Sequence, residues 1–275
     1  MAKIVIPEGL AGKDLFRFLV SNKKALIAEK KFEMKFSDPL FQAHKLSVKT
    51  GGANKASAMP EDTPELIYRL CVINTTNWMD SHSDVHIPGL WKKSLTETKD
   101  LYLLQEHMMK FQGIITDQVQ AYTKQMAWQQ LGLDAEGVTE ALIFQCAISN
   151  KRNPYMFDQY SEDYVKNHSV GMQYVDLQLA VNEPEDDYYK EEFAVWNKYI
   201  GSIANANDAE EQGYFWAVRE AKVIEGSAVP IGSNRITPTL NSSTGKEPLT
   251  GTWIQPQENG FDIGEAIKST KFFNN

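Results

Sequence analysis

The sequence predicts an α+β protein in which an antiparallel, barrel-like β structure carries a few helices. Three observations lead there. Apolar runs of strand length recur between polar or Gly/Pro-rich breaks, at residues 66–73, 101–107, 139–149, 214–221 and 223–229. Helical periodicity is confined to short stretches, chiefly residues 14–20 and the Tyr189, Phe193, Trp196, Ile200 series. Strands do not alternate regularly with helices, which argues against a parallel βαβ sheet. The 275 residues are 42% hydrophobic and 11% aromatic, enough for a sizeable core.

Taken in order, residues 14–20 read as a short helix and residues 31–36 alternate like a strand. Residues 50–57 have the composition of a turn or linker. A compact domain begins near Glu65, with a buried strand over 66–73 bounded by Pro64 and the polar run Asn74 to Asn77. A second strand, 101–107, places Leu101, Leu103, Gln105 and His107 on one face. Residues 111–116 suit a return strand beside it, and 119–133 fit strand and helix periods equally poorly. Residues 139–149 suit a core strand; residues 160–167 suit an amphipathic helix leading into a strand over 169–181. From Thr237 the chain is polar and rich in Pro, Ser, Thr, Asn and Gly. The expected organisation is a basic segment 1–60, a domain 61–235 with an acidic helical insertion 183–211, and a polar tail 236–275.

The net charge of −8 is unevenly spread. Residues 1–60 hold 11 basic and 5 acidic side chains, whereas residues 183–211 hold 2 and 9. A basic leader can serve as a solvated arm or as a docking segment, and the acidic body argues against a dedicated nucleic-acid-binding domain. Two cysteines, Cys71 and Cys146, cannot form a disulfide framework or a four-cysteine zinc site. No apolar run reaches the 18–20 residues of a membrane span, and Glu8 and Asp14 spoil the N-terminus as a secretory signal. These features point to a soluble protein of a reducing cytoplasm.

Candidate chemistry concentrates on histidines. His82, Asp84 and His86 would share one side of an extended segment, as zinc ligands can, but Pro88 and Gly89 mark a loop, and no metal is expected. His107 ends an apolar strand, where a histidine is either a packed residue or a base. Ser169 and Gly171 share a strand face, and a glycine there lets a substrate backbone come close. Asn167 stands where the Gly-x-Ser-x-Gly elbow of α/β-hydrolases needs its first glycine, which argues against that fold. Glu225 interrupts an apolar run, so it lies at a sheet margin or is paired. No phosphate-binding Gly-rich loop, CxxC pair or HExxH occurs.

In order, these pieces resemble tailed-phage prohead proteases. Asp80 to Trp91 (DSHSDVHIPGLW) is similar to a D-x-x-x-D-x-x-x-P-G signature, and residues 101–107 to an L-L-x-x-H strand followed by a glycine, here Gly113. HSVGM at 168–172 is similar to an S-I-G-[FY] strand, and VIEGSAV at 223–229 to L-x-E-x-S-x-V. PIGSN at 230–234 departs from P-x-P-A-N at Gly232 and Ser233. The resemblance covers about residues 65–235. It implies a herpesvirus-protease-like β-barrel surrounded by helices, and a serine endopeptidase that cleaves scaffold or major capsid precursor, and itself, inside the immature capsid in the host cytoplasm. It assigns Ser169 as nucleophile and His107 as general base, with Glu225 as third member and Glu220 as the next choice. No cofactor is implied. The acidic insertion, which lengthens the chain between Ser169 and Glu225, and His82 and His86 depart from the pattern. They leave a catalytically inactive capsid or scaffold component with the same fold as the alternative.

Overall fold

Two sheets face each other across a shared core, and side-chain alternation along their strands decides what enters it. The structure, a computed structural model, describes residues 4–32, 56–57, 60–98, 100–240 and 253–254. Its elements are α1 (Gly12–Ser21), α2 (Lys23–Phe32), β1 (Ala56–Ser57), β2 (Leu66–Thr75), β3 (Asp84–His86), α3 (Lys92–Glu97), β4 (Leu103–Gln105), β5 (Ile114–Thr116), β6 (Val119–Ala127) and β7 (Val138–Ser149). They continue with α4 (Pro154–Ser161), β8 (Asn167–Val181), α5 (Lys190–Tyr199), α6 (Ala206–Gln212), β9 (Tyr214–Val229), β10 (Thr239–Leu240) and β11 (Trp253–Ile254). The fold is mixed α+β with several sheets, and no closed barrel is present among the described residues.

One sheet is antiparallel in the order β10-β2-β7-β6. The other is built on a long hairpin in which β8 pairs β9 from Asn167↔Val229 to Val181↔Tyr214. Along the opposite edge of β9, β3 and β4 run parallel to it, and β5 pairs β4. β1 and β11 form a separate two-stranded ribbon. The two runs expected at 214–221 and 223–229 are one strand, because Lys222 between them is exposed and does not interrupt the ladder. Register shifts beside Gly171 and Asp176 bend the hairpin.

Ile73, Phe144, Cys146, Val170, Met172 and Val218 belong to the main core cluster between the sheets. At Gly226 the approach is so close that a Cβ would lie 2.7 Å from Phe144 Cε2 and 2.9 Å from Ile73 Cδ1. Only hydrogen fits there. Cys71 and Cys146 are both free and buried. No described helix is long and apolar enough to cross a membrane.

Three further sequence expectations change. The predicted helix at 160–167 is displaced to α4, because Asn153-Pro154 is a stronger start signal: Asn153 Oδ1 accepts the Met156 N–H at 3.1 Å, with proline in the first turn. The strand expected at 31–36 is preceded by a helix, for Lys31 and Phe32 end α2, and residues 33–36 lie outside the described residues. So does most of the linker at 50–57 and of the tail after residue 240.

The third change concerns the basic leader, whose described part is folded onto the domain. Phe16, Leu19 and Leu26 are buried in the main core, so ordered packing begins well before Glu65. Phe16 sits against Gly213, where a Cβ would lie 2.6 Å from its Cζ. Charge completes the docking: Lys13 pairs with Glu183 at 3.3 Å, Lys23 with Glu191 and Glu192, and Lys30 with Asp84 at 2.6 Å. The opposite charges of leader and insertion therefore meet within the molecule.

Candidate active site

Ser169 on β8, Glu225 on β9 and His107 just after β4 come from one sheet, in which β8 and β4 pair opposite edges of β9. In antiparallel pairing, residues directly opposite project to the same face. Ser169 on β8 is opposite Ser227 on β9, and Gly171 is opposite Glu225. The side chains of Ser169, Glu225 and Ser227 thus leave one face of the hairpin, while Val170 and Gly226 face the core. On the other edge of β9, β4 pairs Leu104 with Ser227 and delivers the chain to His107.

His107 does not lie on the strand that period-two reading extends to it. β4 ends at Gln105, and Glu106 and His107 adopt φ values of 50° and 57°. The Met108 N–H donates to Gln105 O at 2.8 Å, closing a tight turn with two left-handed residues at its centre. Such φ values disfavour side-chain-bearing residues. The turn is held from both sides. The His107 backbone N–H donates to Ser227 Oγ at 3.0 Å, and His107 Nδ1 lies 2.6 Å from Glu225 Oε1. Gly113 lets the turn pack, since a Cβ there would lie 2.2 Å from Met108 O.

Glu225 is fully buried, and its second oxygen accepts the Ser227 hydroxyl at 2.6 Å. A buried carboxylate is costly unless its lone pairs are satisfied, and here an imidazole N–H and a hydroxyl satisfy both oxygens. With Nδ1 bound to Glu225, the Nε2 side of His107 is left for proton exchange. The imidazole is 19% exposed, and Ser169 is half-buried. His107 and Ser169 line the same cleft of about 370 Å³, with Ile73, Asn74, His82, His86, Ile231 and Ser233 among its other walls. The cleft opens where the end of β2, the start of β8 and the loop after β9 meet.

Glu220, the second choice for the carboxylate, is elsewhere. It is opposite Asp176 and 3.3 Å from Lys93 Nζ. His168, beside Ser169, is a core residue: Nδ1–H donates to Thr237 O at 3.0 Å and Nε2 accepts the Tyr160 hydroxyl at 2.9 Å. Both ring nitrogens are thus occupied inside the core, and burial pushes the Tyr160 phenol well above its ordinary range.

The His82, Asp84, His86 series does not converge. Ser83 is left-handed at φ 56°, Asp84 binds Lys30 and the Tyr174 hydroxyl, and His86 Nδ1 accepts from Asn74 Nδ2 at 2.8 Å. Among the described residues no group of three or more His, Cys, Asp or Glu is arranged to hold a metal ion. His82 and His86 nevertheless line the cleft. Sequence reading missed the part played by Ser227, although its spacing of two from Glu225 on one strand was the signal.

The acidic insertion, which separates Ser169 from Glu225 along the chain, does not separate them in space. It closes the β8–β9 hairpin beyond Val181↔Tyr214, at the end far from Ser169↔Ser227. No family profile, curated protein or solved structure matches this chain.

Proposed function

We propose that this protein is a serine endopeptidase of the prohead-maturation type, with Ser169 as nucleophile, His107 as general base and Glu225 as the residue that orients the base. One observation carries the reading: a histidine bound through Nδ1 to a buried glutamate at 2.6 Å lines the same cleft as a serine. A nucleophile, a base and an orienting carboxylate form the constellation that activates a serine hydroxyl. The order of these residues in the prohead-protease-like motifs gives the substrate class. The herpesvirus-protease-like fold belongs to the same proposal, supported by the adjacency of the serine and glutamate strands with the histidine delivered across β9.

In this mechanism His107 Nε2 takes the Ser169 hydroxyl proton as Oγ bonds to the scissile carbonyl carbon. The proton passes to the amine as the C–N bond breaks, leaving an acyl-serine. Water then attacks the ester carbonyl, giving one proton to Nε2, and Nε2 returns that proton to Ser169 Oγ as the C–Oγ bond breaks and the carboxylic acid product leaves. Glu225 stabilises the imidazolium in both steps, and Ser227 holds Glu225 in its rotamer. Substrates are scaffold or major capsid precursor segments within the immature capsid in the host cytoplasm, and this chain itself.

The test is co-expression with the capsid precursor and mass spectrometry of new termini, with fluorophosphonate labelling in parallel. New termini and labelling that both vanish in Ser169→Ala support the proposal. Processing that continues in Ser169→Ala overturns it. A wild type that neither labels nor processes favours the inactive capsid component.

A further inference from the structure

Asp84 is fully buried, and its carboxylate draws together three parts of the chain. Lys30 Nζ, from α2 of the leader, lies 2.6 Å from Oδ1. The Tyr174 hydroxyl, from β8, donates to Oδ2 at 2.7 Å. Burial, with Asp84 and Asp80 adding to it, pushes the Tyr174 phenol well above its ordinary range, so it stays a donor.

Contacts continue from there to the cleft. His86 is two residues from Asp84 on β3 and so shares its face. The His86 ring meets Tyr174 edge-on, with centroids 6.2 Å apart, and Trp91 at 6.0 Å. Its Nδ1 accepts from Asn74, and both His86 and Asn74 line the cleft with His107 and Ser169. Tyr174 is on the nucleophile's own strand. β3 in turn pairs β9, the strand of Glu225, at Trp216 to Val218.

We propose that Lys30 is a positioning residue for the cleft: its ammonium, bound to Asp84, seats β3 and Tyr174 so that Asn74 and His86 present a formed wall to Ser169. The leader hairpin is then part of the working site. This deepens the serine-hydrolase reading and rests on it for the activity arm of its test. The physical basis is that taking Lys30 away removes a cation from a fully buried carboxylate, whereas neutralising both partners leaves no such charge behind. Simple loss of packing would not show that sign pattern.

The experiment is a double-mutant cycle on the full chain with Lys30→Met, Asp84→Asn and the pair together, and Lys30→Arg as conservative variant. Two readouts are taken: the second-order rate of fluorophosphonate labelling, and amide hydrogen exchange over residues 84–87 and 73–77. Lys30→Met should lower the labelling rate by about tenfold or more and speed exchange in both segments. Lys30→Arg should restore both to within about threefold of wild type, and so should Lys30→Met combined with Asp84→Asn. Where the methionine variant does not fold, Lys30→Gln, which keeps a donor without the charge, takes its place in the cycle. Wild-type labelling and exchange in Lys30→Met, or additive losses in the double variant, overturn the proposal. If wild type does not label but Lys30→Met speeds exchange and the double variant restores it, the positioning of the cleft wall stands and the hydrolase reading falls.

Discussion

Ser227 donates its hydroxyl hydrogen to Glu225 Oε2 across 2.6 Å, two residues along the same strand. The same oxygen of Ser227 accepts the backbone N–H of His107 at 3.0 Å. One buried hydroxyl thus ties the orienting carboxylate to the turn that presents the base. Ser227→Ala leaves a buried carboxylate oxygen and a backbone N–H short of a partner. Expected are a loss of about 1–3 kcal/mol in stability and about tenfold or more in kcat/KM. Denaturant unfolding and peptide-cleavage kinetics check the two together.

Removing a member of the proposed triad has larger effects on rate than on fold. Ser169→Ala and His107→Ala should each lower kcat by about 10⁴-fold or more. Glu225→Gln should cost about 10³-fold or more, since an amide can donate to Nδ1 and favours the wrong tautomer. Circular dichroism should be unchanged for Ser169→Ala. Activity of Glu225→Gln equal to wild type would reject Glu225 as the orienting group.

Gly113, just before β5, packs directly against the turn at Met108. A methyl group in Gly113→Ala would collide with Met108 O at 2.2 Å and Met108 Cβ at 2.6 Å, and one of these is backbone. The turn must move, at a cost of about 1–3 kcal/mol. Thermal unfolding should show a lower Tm, and labelling of Ser169 should slow, because the displaced turn carries His107.

Glu106 lies at φ 50° with an exposed side chain. Asparagine adopts this conformation more readily, so Glu106→Asn should raise stability by up to about 1 kcal/mol. The midpoint of denaturant unfolding measures it, and activity should be retained.

The docked leader has an alkaline signature. Burial pulls the Lys23 ammonium down, but Glu192 and Glu191 pull harder the other way, and its pKa is raised above 10.5. A cation with a raised folded-state pKa gives stability that is full below its unfolded pKa and is lost as pH climbs through the folded value. Docking should hold at neutral pH and weaken above about pH 10.5. Proteolytic susceptibility of residues 12–32 across that range, compared with Lys23→Met, should show a smaller alkaline step in the variant.

What was legible in the sequence follows from what is local. Strands β2, β7 and β8 and helix α5 fall within a few residues of the periodic runs, because burial on one or both faces writes itself into side-chain alternation. The turn at Glu106 and His107 was not legible, since it has none of the Gly, Asn or Asp that mark such turns and the conformation is held by Ser227 and Glu225 from far along the chain. For Glu225 the sequence left a sheet margin and a paired site both open, because a carboxylate within an apolar run reveals nothing of the histidine it meets. The leader read as a solvated arm or a docking segment, without its internal site, because its partners, Glu183, Glu191, Glu192 and Asp84, lie in other segments.

The β8–β9 ladder decides which changes of length this site can absorb. The connector between the strands can lengthen by whole helices, since loop closure grows only slowly more costly with length and the pairing ends at Val181↔Tyr214. A single residue inserted between Ser169 and that end of the ladder has the opposite effect. It would turn alternate side chains from one face to the other, setting Ser169 against Ala228 and Val170 against Ser227. The spacing that matters here is counted in rungs, and the number of residues in the insertion is immaterial to it.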